Sequence, residues 1–96
     1  MNHHEALGHY VESCEKAKDL WLRFNSATGR LAFELKGSQL EGFTNRAPLL
    51  DVVKVQALHD EVLDLYAKLP DQCREANLYA SECGKAVIRI PTAEAR

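Results

Sequence analysis

Leu7, Tyr10, Cys14, Ala17, Trp21, Phe24, Thr28, Leu31 and Leu35 follow one another in steps that alternate three and four, the spacing that holds side chains on one face of a long helix. The pattern predicts a first helix from near His4 or Glu5 to Lys36, with Gly37 and Ser38 as its stop. At 1.5 Å per residue this is a rod approaching 50 Å. Val11, Leu20, Ala27 and Ala32 flank the stripe and widen it beyond a two-position seam, which suits a bundle helix. Small residues (Cys14, Ala17, Thr28) alternate with the large Trp21 and Phe24, a pattern that a parallel leucine zipper does not use.

The weak point is Asn25 to Gly29, where asparagine, serine and glycine lower helix propensity. A break there turns Leu31, Phe33 and Leu35 into alternate positions of a short strand at 30–36. Val87 to Ile90 then offers a second strand at 87–90. That α+β architecture is the alternative to an all-α fold.

Gly37 to Asn45 reads as a loop, with Thr44 or Asn45 as a cap and Pro48 in the first turn of the next helix. A second helix is expected from Ala47 to Lys68, about 33 Å long. Val55, Leu58, Val62, Leu65 and Leu69 make one seam on it, and Leu49, Val52, Leu63 and Tyr66 another. A helix apolar on two sides is usually the middle of three. Pro70 cannot donate a backbone hydrogen bond, so the second helix should end or kink there. Asp71 and Glu75 suit the first turn of a third helix, which Ala76, Tyr79, Cys83 and Ala86 continue to a stop around Gly84 to Val87. The expected fold is therefore a three-helix bundle in one domain spanning 1–96, with a loose tail at 91–96. A second helix of about 33 Å leaves part of the first uncovered, so dimerisation is expected to complete the bundle.

Composition adds exclusions. The 96 residues carry 12 basic against 14 acidic side chains, which gives no basic stripe for direct contact with nucleic acid. No stretch reaches the length of a membrane span, and the start lacks a basic then apolar leader, so the expected setting is cytoplasmic. Cys14, Cys73 and Cys83 are odd in number and occupy apolar positions of the helical pattern, which predicts reduced thiols in packing roles.

Candidate chemistry is thin. His4 and His9 are five residues apart and do not converge on one ion, so no metal is expected. His59 stands beside the second seam, where a partly buried histidine is expected, and with a cysteine it is the weak basis for a Cys/His enzyme. Asp60, Glu61 and Asp64 form a solvated face beside Lys54 and Lys68. Gly37 and Gly42 are too isolated to cradle a phosphate, and no cofactor is expected. Leu22 and Phe33 project away from the main stripe, and Leu40 and Phe43 fall in the loop, which makes these four the candidate contact patch for another protein. The expected function is a non-catalytic adaptor, regulator or inhibitor that forms a homodimer. Three alternatives stand beside it: an assembly subunit completed by a different chain, a phage or mobile-element inhibitor of a host nuclease or CRISPR complex, and the small enzyme.

Overall fold

A computed structural model of the chain describes residues 2–37 and 50–91. Two helices account for most of them: α1 (His3–Gly37) and α2 (Val52–Cys83). They pack against each other along their length, and the fold is all-α. Cross-helix pairs fix the direction. His9 stacks on Tyr79, Phe24 meets Tyr66 and Arg30 pairs with Glu61, so one sequence rises as the other falls and the hairpin is antiparallel.

Each helix starts on a local cap. The Glu5 backbone N–H donates to Asn2 Oδ1 at 2.8 Å, and Asn2 Nδ2 donates back to Glu5 Oε1 at 3.3 Å. Asp51 Oδ1 accepts from the Lys54 N–H at 3.0 Å. Both satisfy donors that the helix itself leaves unpaired. α2 ends on Gly84, whose φ of 73° is the left-handed conformation open to glycine, and the Lys85 N–H then donates to the Ala80 carbonyl at 3.0 Å. The caps expected at Thr44 or Asn45, and Pro48, lie outside the described residues.

The first helix runs unbroken through Asn25 to Gly29, as the main reading expects, and the α+β alternative falls because residues 30–36 belong to α1. Ala27 is fully buried against α2, and the Thr28 hydroxyl donates to the Phe24 carbonyl, so tertiary packing and a local bond outweigh the low propensity. Residues 87–90 form no strand. Pro70 does not end α2 either: it lies inside the helix, and the expected third helix is the second half of α2. A mid-helix proline costs on the order of 3 kcal/mol. Leu65, Leu69, Cys73 and Ala76 on both sides of it are all buried, so the two halves are held on one partner and the helix crosses the defect.

The correction changes the geometry of cover. At 1.5 Å per residue, the 35 residues of α1 and the 32 of α2 make rods of about 52 and 48 Å. α2 therefore matches α1 in length, and no third helix lies over the second face of α2 among the described residues. The radius of gyration is 19.1 Å, against roughly 12 Å for a compact chain of this size.

The shared core is a single spine. Leu58, Leu65 and Leu69 fill its middle. Ala6, Ser13, Ala76, Ala80 and Cys83 fill the end away from the connection, where small side chains allow close approach.

Candidate functional site

The stripe recognised in the sequence is wider than α2 can cover. Tyr10, Ala17, Phe24 and Leu31 are half-buried on the spine, alternating with Ala6, Ser13, Leu20, Ala27 and Glu34, which are buried or half-buried. Leu7, Cys14, Trp21, Thr28 and Leu35, seven residues apart, form the shoulder of that spine. Leu7 and Cys14 are half-buried, whereas Trp21 and Leu35 stay 46% and 44% exposed and Thr28 is exposed.

The hairpin consequently has two unlike edges. On the first, α1 presents that shoulder, and α2 presents His59, Tyr66, Cys73 and Ala80, again seven apart, with Leu63 and Pro70 beside them. Rings confirm that the shoulders share an edge: Trp21 stacks on Phe24 at 5.7 Å, and Phe24 meets Tyr66 at 5.5 Å. Leu63 is 56% exposed. None of these residues carries a formal charge at neutral pH, and Lys18 is the one cation flanking them on α1.

The opposite edge is made of the other shoulders: His9, Lys16, Arg23 and Arg30 on α1, with Lys54, Glu61, Lys68, Glu75 and Glu82 on α2. Here the helices are tied by polar contacts. Arg30 pairs with Glu61 at 3.2 Å and Lys54 with Glu34 at 2.7 Å. The Gln72 amide donates to the Ser13 carbonyl at 3.2 Å, and His9 stacks on Tyr79 at 4.9 Å. The hydrogen bond to Glu34 holds the Lys54 ammonium above its ordinary pKa. Lys16–Glu12, Arg23–Asp19 and Lys68–Asp64 are pairs one turn apart on the solvated surface.

Each edge has a groove. The one on the charged edge, about 630 Å³, is lined by Ser26, Gly29, Arg30, Phe33, Lys54 and Glu61. Its charged groups are already paired. The one on the apolar edge, about 590 Å³, lies between Cys14, Ala17, Trp21, Leu69 and Cys73, and it is closed on one side by Ile88, Ile90 and Pro91 of the C-terminal segment. Pro91, expected in the loose tail, is half-buried there; residues 92–96 lie outside the described residues.

Of the candidate contact patch, the two described residues stand apart. Phe33 is 76% exposed over the charged edge, and Leu22, 56% exposed, points out from the back of α1. Eleven residues apart, they are separated by about 16 Å along one helix. Leu40 and Phe43 lie outside the described residues. Sequence reasoning passed over Leu63 as part of the same edge as Trp21 and Leu35, because it placed Leu63 against a third helix.

Among the described residues, His59 and the cysteines named as candidate chemistry are not brought together. His59 is exposed rather than partly buried, its Nδ1 lying 3.4 Å from Asp60 Oδ1. The three cysteines are free. Burial, then the neighbouring Cys14, pushes the Cys73 thiol above its usual pKa, and a hydrogen bond to Cys14 raises the Tyr10 phenol, the reverse of what activates a nucleophile. Among the described residues no group of three or more His, Cys, Asp or Glu side chains has metal-binding geometry, and no described helix is long and apolar enough to cross a membrane. The chain matches no protein-family profile, and neither a curated protein nor a solved structure is significantly similar to it.

Proposed function

We propose that the protein is a non-catalytic interaction module that acts by laying its apolar edge against another protein, and that its first partner is a second copy of itself. The observation that carries this reading is the contrast of the two edges: the same hairpin keeps one edge ionic and makes the other apolar, with Lys18 and Arg89 at the rim of its groove, while leaving Trp21, Leu35 and Leu63 about half in water. An apolar strip of this kind is costly to leave hydrated.

Area supports the same reading. The chain exposes 7436 Å², whereas a compact protein of 10.8 kDa exposes about 5,500 Å². The excess exceeds the roughly 800 Å² per partner that a stable interface buries. Two hairpins joined by these edges make a four-helix arrangement in which Trp21, Leu35 and Leu63 become core. An adaptor, regulator or inhibitor of another protein works through the same edge.

The test is sedimentation velocity on the full chain across a concentration series, beside Leu35→Glu and Leu63→Glu. The expected result is a species of twice 10.8 kDa that each substitution dissociates while circular dichroism stays helical. A monomer at all concentrations, or a dimer indifferent to both substitutions, overturns the reading.

A further inference from the structure

The apolar edge is not open along its whole length, and what closes one end is a segment of the chain itself. After Gly84 turns the backbone, residues 85–91 run back along the hairpin without regular secondary structure. Lys85, Ala86 and Val87 are exposed, and Ile88, Ile90 and Pro91 are half-buried beside Trp21, Cys14 and Cys73.

The attachment is specific and small. The Asn77 carboxamide bonds both main-chain groups of a single residue: its Nδ2 donates to the Ile88 carbonyl at 2.9 Å, and its Oδ1 accepts the Ile88 N–H at 2.6 Å. These contacts recognise a single peptide unit without regard to side chain, and Ile88, Arg89 and Ile90 all line the same groove. Three half-buried side chains and one carboxamide hold the segment, far less than the spine that holds α1 to α2.

We propose that the groove bounded by Cys14, Trp21, Leu69, Cys73 and Asn77 is a seat for an apolar segment, and that residues 85–91 are its resident strap, which must lift before a partner engages the full edge. The inference rests on the reading of that edge as a docking surface. Seated, the strap shortens the docking surface to the part from Trp21 to Leu35 and shields Cys14 and Cys73. Lifted, it extends the surface to Leu7 and frees the Asn77 carboxamide for a partner's main chain.

The experiment compares the full chain with Asn77→Ala and with the full-length double variant Ile88→Ser/Ile90→Ser. Self-association is read by sedimentation, and exposure of the sole tryptophan, Trp21, by acrylamide quenching at concentrations where every variant is monomeric. The expected result is stronger quenching in both variants and tighter association, about fivefold for Asn77→Ala, which loses two neutral hydrogen bonds, and tenfold or more for the double variant. Unchanged quenching, or association that is unchanged or weaker while helicity is kept, overturns the strap and leaves the docking edge standing if the wild-type chain dimerises. If wild type and variants are all monomeric, the docking edge falls and the strap falls with it.

Discussion

The two edges of the hairpin are built from the same two helices at the same seven-residue spacing, yet they solve opposite problems. On the charged edge, Arg30 pairs with Glu61 at the surface and Lys54 with the half-buried Glu34, contacts that set register more than stability. On the other, Trp21, Leu35 and Leu63 gain nothing from water, and among the described residues the C-terminal segment covers the Cys14 and Cys73 end. A two-helix hairpin has one buried spine and two flanks, so a helix whose apolar face is wider than that spine leaves one flank unfinished. The difference teaches where the hairpin is self-sufficient and where it asks for a partner.

The comparison breaks outright if the spine fails. Leu69 is 2% exposed and the largest fully buried side chain, so Leu69→Ala is expected to cost about 2–5 kcal/mol, a large share of the stability of any small domain. Urea unfolding monitored by circular dichroism would show both edges lost in one transition. Pro70→Ala is expected to act in the other direction, because an alanine restores the N–H that proline lacks; a gain of about 1–3 kcal/mol in the same assay is the outcome. A loss instead would show that the local backbone is shaped to the proline.

The edges themselves separate under paired substitutions. Arg30→Ala with Glu61→Ala on the charged edge should change stability by no more than about 1 kcal/mol, since both side chains are about half exposed, and should leave association untouched. Leu35→Glu should do the reverse, with helicity kept and self-association weakened at least tenfold. Equal effects of the two on association would erase the distinction between the edges.

Alkali offers the finest separation. An unfolded thiol ionises near its ordinary value of 9.0, while burial keeps Cys73 protonated to higher pH. The stability this represents is complete below pH 9 and is lost as pH rises from there toward the folded pKa. The Glu34 contact raises Lys54 above 10.5, so that contribution is complete below 10.5 and fades as pH rises through the raised value. Urea midpoints should thus fall as pH rises above 9, and Cys73→Ala should remove the part of the fall that begins there.

Much of this was readable from residues. The three and four spacing located α1 to within one or two residues at each end, and Val55, Leu58, Val62, Leu65 and Leu69, expected as one seam of the second helix, line up along α2 as buried or half-buried positions. The local signal misled at Pro70, and the one at Asn25 to Gly29 supported an alternative that falls, because both weaken an isolated helix and neither outweighs a partner packed along the whole rod. The exposed pair chosen from the sequence, Leu22 and Phe33, was chosen for pointing away from the stripe. The surface left open by the fold is instead the margin of the stripe itself.

What the sequence determined by itself is periodicity, and with it a long first helix, helical segments on both sides of Pro70, the want of a basic surface and an apolar face too broad for one neighbour; these follow from residue types and spacing along a single chain. Which part of that face is buried was decided by the tertiary structure. α2 continues through Pro70, meets α1 over its full length and selects the line through Ala6, Ser13 and Ala27, where small side chains allow the closest contact. Trp21 and Leu35, at the neighbouring register, are left on the rim. One residue of offset between two equally periodic stripes is invisible to spacing, because only the position of the second helix chooses between them.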